Sequence, residues 1–582
     1  MQIIVLEGLG EDPNLGQRWN ELVWLMERPE VFYTFQWAQA VDRAYSESFD
    51  PFIVLGYEGG RLVGVVALAR MKADPGSLSF LTSTTADYCD FLSAPTHRDE
   101  FVQAVFAELN DRHISTLTLA NLPADSSTVI ALRRAASDRR YRFFSRPAYS
   151  CSNVLLGSAP EREILKREIS SKTMLRRNLN AMGKIAPVAF HHDTRWDEIE
   201  PQLERFYRAH VSRFLSTGRS SNLARPDRRQ FLHELANLLA VSGWMTLSRL
   251  TVGNVSISWN YGFRFAGSWF WYQPTFESSY ERNAPGFCLL CNIVQTACVF
   301  PDLNFIDLGL GAEGYKDRVA NGTRQTLHVT LHSSYARHLR TVLRYKAARI
   351  ATISPPVERA IRSTRSAVAR LASRRREAST IGLLKWGADR VRRSLVGFDE
   401  VLFFNHTSQT PVHCVNDFNL CPMDFDVLGL AGIAYVDDAS QQYLMRAAQR
   451  LKSGRDRGFV ALSRDRVPVH FCWATEFEGF QMDELGRTLK APCSEALMIF
   501  DCFTPPAARG HSFFPAAISI LARDLHAVEK APWIFAAATN LASRRGIEKA
   551  GFAYKFSLGN RRFFFLKQNR DSTPTSQSAP CT

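Results

Sequence analysis

Asn283-Ala284-Pro285-Gly286 opens an apolar run lasting from Phe287 to Phe300, and Asn304-Phe305-Ile306-Asp307-Leu308-Gly309-Leu310-Gly311-Ala312-Glu313-Gly314-Tyr315-Lys316 follows it. A proline suits the first turn of a helix, where its missing N–H costs nothing and its fixed φ is already helical. The pattern predicts a helix over Phe287–Val299 and a strand over Asn304–Leu308, with glycine-rich backbone just beyond the strand. The run is shorter than the ~18–20 apolar residues that span a bilayer and holds Asn292 and Gln295.

Upstream, helical patterns cover Trp196–Leu215 and Arg228–Val241, and strands cover Met245–Leu250, Val255–Phe263 and Gly267–Phe276. A basic helix containing Lys172, Arg176 and Arg177 opens this stretch, 161–334. The order is helices, antiparallel strands, strand, loop, helix, strand. That order describes an α+β layer, a mixed but mostly antiparallel sheet flanked by helices.

The stretch 399–567 repeats the order. It has a helix near Gln441–Leu451, a hairpin through Phe459–Phe477 turning near Val467-Pro468, and a strand over Ala496–Phe503. Thr504-Pro505-Pro506-Ala507-Ala508-Arg509-Gly510-His511-Ser512 leads into a helix over Phe514–Glu529, then a strand Trp533–Ala538, a short helix and a last strand Tyr554–Leu566. The first stretch, 1–160, begins with the strand Ile3–Leu6. It holds a hairpin in which Glu58-Gly59-Gly60 joins Phe52–Tyr57 to Leu62–Leu68, between helical patterns near Trp19–Met26 and Glu100–Asn110.

Of the formal charge of +14, nearly all lies in one connector, 335–398: Arg337 to Arg393 holds 16 Lys/Arg against Glu358, Glu377 and Asp389. Val357, Ile361, Thr364, Val368 and Leu371 alternate steps of four and three, as do Ile381, Leu384, Ala388, Val391 and Leu395, and Pro355-Pro356 precedes them. This reads as an amphipathic helix or helix pair, packed on a domain or laid on an anionic membrane surface. The polar stretch 568–582 is expected to be a disordered tail.

Met1–Pro13 has acids and no basic residue, unlike a secretory leader, and eleven scattered cysteines suit a reducing compartment, so a cytoplasmic location is expected. Cys288 and Cys291 lack a second Cys/His pair nearby, so they are expected to pack in the core, and no metal is expected.

A strand, a basic glycine loop and a helix N-terminus together offer free backbone N–H groups to a pyrophosphate. The loop Arg509-Gly510-His511-Ser512, with Asn540-Leu541-Ala542-Ser543 and Lys549-Ala550-Gly551-Phe552 further on, resembles the GNAT acetyltransferase family. It departs from the family pattern at Ser512, where a small Gly/Ala is usual, and in having its Arg adjacent to the Gly. Pro285-Gly286 followed by Asp307-x-Gly309-x-Gly311-x-x-x-Tyr315-Lys316 resembles the CelD-like acetyltransferase domain associated with cellulose and exopolysaccharide synthesis, which is related to the tandem-lobed FemAB-type transferases. Lys172–Leu179 and Ala86-Asp87-Tyr88-Cys89-Asp90-Phe91 extend that resemblance.

The resemblance implies tandem GNAT-like domains and an acyltransferase that carries an acyl group, acetyl above all, from acyl-CoA to a small-molecule or saccharide amine. Pro285, Gly286 and Phe287 would hold the donor, as would Arg509, Gly510, His511, Ser512, Asn540 and Ser543 in the C-terminal stretch. Asp307, Glu313, Tyr315 and Lys316 would line the reacting centre, with Asp307 or Glu313 as base. Two other readings stay open: a FemAB-like transferase fed by aminoacyl-tRNA, or a domain that binds acyl-CoA without catalysis. Nucleic acid is not expected as a partner except tRNA under the first of these. Nothing in the sequence speaks to oligomeric state.

Overall fold

The computed structural model describes residues 1–10, 12–72, 74–311, 314–353, 396–407, 418–563 and 566–572. The chain forms two compact units: residues 1–213 with 222–350, and residues 214–221 with 351–582.

In the first unit the elements run β1 (Gln2–Leu6), α1 (Leu15–Trp24), α2 (Phe35–Tyr45), β2 (Phe49–Glu58), β3 (Arg61–Met71), β4 (Ser77–Phe80), β5 (Leu92–Ser93), α3 (Arg98–Asp111), β6 (Thr116–Pro123), α4 (Thr128–Asp138) and β7 (Arg142–Leu155). They continue with α5 (Ala159–Ser171), α6 (Thr173–Gly183), β8 (Val188–Asp193), α7 (Trp196–Ser216), α8 (Pro226–Val241), β9 (Met245–Val252), β10 (Val255–Phe265), β11 (Ser268–Phe276), α9 (Pro285–Ala297), β12 (Phe305–Leu310), β13 (Gly322–His332) and α10 (Tyr335–Ile353). One sheet in the order β1-β2-β3-β4-β6-β13-β7-β12-β11-β10-β9-β8, with β5 on the flank of β3, carries them all. The stretches 1–160 and 161–334 therefore share a sheet. Two pairings link them: β13 of the second stretch lies antiparallel between β6 and β7 of the first, and β7 also pairs antiparallel with β12.

The second unit has strands β14 (Val396–His406), β15 (Phe418–Pro422), β16 (Arg457–Ser463), β17 (Pro468–Glu476), β18 (Gln481–Met482), β19 (Arg487–Thr488), β20 (Ala496–Phe503), β21 (Ala531–Ala537), β22 (Phe552–Phe563) and β23 (Leu566–Ser572). Its main sheet runs β15-β16-β17-β20-β21-β14-β22-β23. Helices Phe425–Ala434, Asp438–Ser453, Phe513–His526 and Leu541–Lys549 accompany it.

Both units are α+β with mixed, mostly antiparallel sheets, and one submotif recurs three times. A strand pairs in parallel with the strand that follows its helix: β4 with β6 around α3, β11 with β12 around α9, and β20 with β21 around Phe513–His526. In each case an antiparallel strand from elsewhere in the chain flanks the second partner: β13 beside β6, β7 beside β12, and β14 beside β21. The sequence suggests the repeat in two stretches, and the structure adds the first.

α9 explains itself physically. Its apolar residues cover all but a narrow side, and Cys288, Leu289, Leu290, Cys291, Ile293 and Val294 are buried with Trp269, Trp271, Ile306 and Leu308 of the sheet. Burial of this kind contributes about 25 cal/mol per Å² of apolar area. Cys288 and Cys291 sit in that core, and burial pushes both thiols up to about 12.

Several expectations are corrected. The single basic helix around Lys172 is two helices: Lys172 has ψ 112°, which ends α5 and starts α6. Residues 335–353 of the connector form α10, before the prolines expected to start the helix. The periodic segments from Val357 to Leu395 lie in 354–395, outside the described residues. Residues 396–398 belong to β14, whose strand pairs between β21 and β22. Residues 568–572, placed in the tail, form β23 against β22, while 573–582 lie outside the described residues. Among the described residues no helix is long and apolar enough to cross a membrane.

Candidate functional site

β11 and β12 are in register from Ser268/Phe305 to Phe270/Asp307 and then part. A parallel pair that separates leaves backbone groups of both strands facing a gap, and the glycine loop 309–311 lies at that end. Gly309 has φ +71°, and a Cβ there would stand 2.9 Å from the Asp87 carboxylate and 3.1 Å from the Trp271 carbonyl oxygen. Only glycine lets the loop pass between them without strain.

Asp307, 1% exposed, accepts hydrogen bonds from the Tyr88 hydroxyl at 2.8 Å and from the Gly309 N–H at 2.8 Å, and the Arg28 guanidinium lies 4.0 Å away. Lys316 is buried and donates from Nζ to the carbonyls of Leu310 (3.1 Å) and Gly311 (3.3 Å), which closes the loop on itself. The Tyr315 hydroxyl accepts from Trp271 Nε1 at 3.0 Å. Burial pushes the Asp87 carboxyl up to about 7, and the neighbouring Asp307 charge adds to this; Lys316 and the Leu310 N–H pull the other way. Asp307, Tyr315, Lys316 and the segment Asp87-Tyr88 thus converge. Glu313 lies outside the described residues.

Behind this cluster lies a second layer. Glu30 is fully buried, and Arg324 Nη1 donates to it at 2.6 Å while Arg28 sits 3.2 Å away. Burial pushes Glu30 up to about 7 against the pull of both arginines. The Arg324 guanidinium also lies over the Tyr88 ring, 4.7 Å from its centroid. Asp90 serves the scaffold instead. Ser126 and Thr128 donate to it at 2.6 and 2.5 Å, and Arg98 lies 3.6 Å away, which anchors the start of α4. Glu30, Arg28, Arg324 and Trp271 are not visible from sequence as site residues. Nothing in their local sequence sets them apart: Arg324 lies on β13 and Glu30 in the segment after α1, 294 positions away, and the two meet only in the folded chain.

Pro285, Gly286 and Phe287 form the first turn of α9. Ala284, its N-cap, has φ +44° and caps no N–H with its side chain. A helix start without a side-chain cap, carrying the positive end of the helix dipole, suits a phosphate-bearing donor.

In the second unit β20 and β21 run in register from Ala496/Ala531 to Ile499/Ile534 and then part. Beyond that point β20 bulges: Phe500 pairs with Trp473 and Phe503 with Phe471, and Asp501 has φ +45°. Arg450 clamps the bulge, 2.6 Å from Asp501 and 3.6 Å from Asp456, over the rings of Trp473 and Phe500 at 4.9 and 4.8 Å. A cavity of about 790 Å³ opens there, with Arg450, Glu476, Phe500, Asp501, Asn540 and Ser543 in its wall. Asn540 caps its own helix through the Ser543 N–H at 3.1 Å. Arg509, Gly510, His511 and Ser512 are not among the residues of that wall. Arg509 Nε turns back to the Thr504 carbonyl (3.2 Å), Gly510 has φ +90°, the His511 ring lies 5.7 Å from Phe513, and Ser512 has φ +58° and accepts from Lys549 Nζ at 3.1 Å. Among the described residues no group of three or more His, Cys, Asp or Glu is placed to hold a metal.

Residues 170–317 match the family model described as an acetyltransferase (GNAT) domain. No curated protein matches the chain by sequence. Among solved structures, FemX is similar at 7% identity over 56% of this chain and 97% of its own, with a TM-score of 0.39. L-PGS from Bacillus licheniformis is similar at 10% identity over 53% of this chain and 96% of its own (TM-score 0.35). A tandem GNAT protein from the clavulanic acid biosynthesis pathway is similar at 12% identity over 57% and 99% (TM-score 0.32).

Proposed function

We propose that the chain is a GNAT-type acyltransferase that moves an acyl group, acetyl in the first instance, from acyl-CoA to an amine, with its reacting centre at the parted ends of β11 and β12. The observation that carries this reading is the convergence of Asp87, Asp307, Tyr315 and Lys316 on one glycine loop, three of them inside the segment that matches the acetyltransferase family model. The resemblance of Pro285-Gly286 and Asp307–Lys316 to CelD-like domains favours an acceptor in exopolysaccharide or cell-envelope synthesis.

An acyl thioester supplies an activated carbonyl and a thiolate leaving group. The chain must supply a place for the phosphates, an oriented acceptor and a sink for the proton. In the first turn of α9 Pro285 has no N–H and the Phe287 N–H is held by the Ala284 carbonyl at 3.0 Å, so the phosphates would meet the Gly286 N–H and the positive end of the helix dipole. A primary amine has a reference pKa near 10.4 and must lose a proton before it attacks. Asp307 is a poor candidate for that proton, since both its oxygens already accept hydrogen bonds. Asp87, held near 7, is matched to that role and accepts the ammonium proton directly or through one water. Asp307 and Lys316 position Asp87 and the loop, and Tyr88 positions Asp307. No residue of the chain forms a covalent intermediate in this scheme.

The test is the thermal midpoint of the full chain with acetyl-CoA, longer acyl-CoAs and free CoA. A ligand at a hundred times its Kd adds about 2.7 kcal/mol. A rise that is lost in Gly286→Trp supports the reading. No rise with any acyl-CoA overturns it.

A further inference from the structure

α10 presents two different faces along one cylinder. Its inner face carries His338, Thr341, Val342 and Tyr345, all partly buried, at the spacing of one helix side. Phe144 of β7 meets the rings of His338 and Tyr345 at 6.5 and 5.6 Å, and Thr341 bonds to His332 Nε2 at 2.9 Å. These contacts fix how the helix is rotated. They turn Ala336, Leu339, Leu343 and Ala347 to the opposite side.

Leu339 and Leu343 are 42% and 55% exposed, one turn apart on that outer side, and Tyr335 is 62% exposed at the start of the helix. Set one turn apart, the two leucines form a contiguous apolar strip rather than scattered single residues, and contiguity is what marks an interaction surface. Arg340 and Arg344 border this strip on one flank and Lys346 on the other, all exposed. The helix contains five Lys/Arg, including Arg337 and Arg349, and no Asp or Glu.

We propose that the outer face of α10 binds the surface of an anionic lipid bilayer, lying in the interface plane with Leu339 and Leu343 inserted among the acyl chains. An apolar strip bordered by cations on a helix too polar to span matches the physics of an interfacial helix: the strip takes the boundary of the hydrocarbon and the guanidinium and ammonium groups meet lipid phosphates. Charge complementarity selects this occupant. Nucleic acid would use the cations and leave the leucines in water. A second copy of the chain would set the same cations against each other. This face acts independently of acyl transfer.

The experiment is co-sedimentation of the full chain with vesicles of phosphatidylcholine alone and of phosphatidylcholine with 30% phosphatidylglycerol, about 30% being an anionic fraction large enough to set a negative surface potential. The variants are L339S/L343S and, separately, R340Q/R344Q, each checked for an unchanged melting midpoint. Residues 354–395 stay unaltered in every arm. The expected result is binding to anionic vesicles only, weakened about tenfold or more by L339S/L343S and made salt-sensitive by the arginines. Unchanged binding of L339S/L343S overturns the proposal, because the basic segment further along the chain would then account for it. Equal binding to neutral vesicles, or no binding, also overturns it, as does a preference for RNA that removes the protein from anionic vesicles.

Discussion

The hydroxyl of Tyr88 donates to the carboxylate of Asp307 across 219 positions of sequence, at 2.8 Å. The bond joins the loop after β4 to β12 and so ties the first 160 residues to the glycine loop. Tyr88→Phe removes one donor from a buried carboxylate and leaves the ring packed on Arg324. A hydrogen bond to a charged group is worth about 1.5–3 kcal/mol. In a urea titration the first unit's unfolding free energy should fall by that amount and its midpoint move to lower denaturant, with little change in the fluorescence transition of Trp473 and Trp533 in the second unit.

Asp87 and Glu30 both hold their protons to about pH 7, against ordinary values of 3.8 and 4.5. The folded chain therefore binds more protons than the unfolded chain between about pH 4 and 7. Their contribution to stability is complete below the unfolded values and falls as pH rises through the folded ones, by an amount of the order of a few kcal/mol. The melting midpoint should drop between about pH 4 and 7 and level off above that, and Asp87→Asn should flatten that drop. An equally steep drop in the variant would remove Asp87 from the account.

Gly309→Ala places a methyl group 2.9 Å from the Asp87 carboxylate on backbone at φ +71°. The expected loss is about 1–3 kcal/mol from the backbone alone, with displacement of Asp87 added. Gly314→Ala, where no atom lies within 4 Å of the new Cβ, is the control and should be near neutral. Differential scanning calorimetry of the two variants decides this.

Ala284 and Ser512 sit in the left-handed region at the N-caps of α9 and of Phe513–His526, and neither side chain caps an N–H. A non-glycine residue there costs roughly 1–2 kcal/mol. Ala284→Gly and Ser512→Gly should each raise stability by about 0.5–1 kcal/mol, since glycine also loses more freedom on folding. Ser512→Gly gives up the contact with Lys549, which is exposed and weak. A lowered melting midpoint in both would contradict the strain argument.

The local patterns carried far. The hairpin at Gly59-Gly60, the strands from Met245 to Phe276 and the helix after Pro285 follow from alternation, turn residues and a proline, all properties of neighbours in sequence. β13, β7 and β14 were not legible as partners of β6, β12 and β21, because long-range pairing depends on which edge is free once the rest has folded. The same limit hid half the cluster. Asp307, Tyr315 and Lys316 share one motif, whereas Glu30 and Arg324 meet only through the register of β13.

The path of β13 also has a temporal meaning. Until His332 has left the ribosome, β6 and β7 lack the strand that lies between them. At about 5–20 residues per second, the interval from Leu155 to His332 lasts roughly 10–35 s. Throughout it β6 has an open edge, and β7 lacks β13 on one side and, until β12 is made, any partner on the other; such edges are templates for wrong pairing. Slow synthesis or a pause in that interval sets a demand for chaperone cover that a chain folding lobe by lobe would not have.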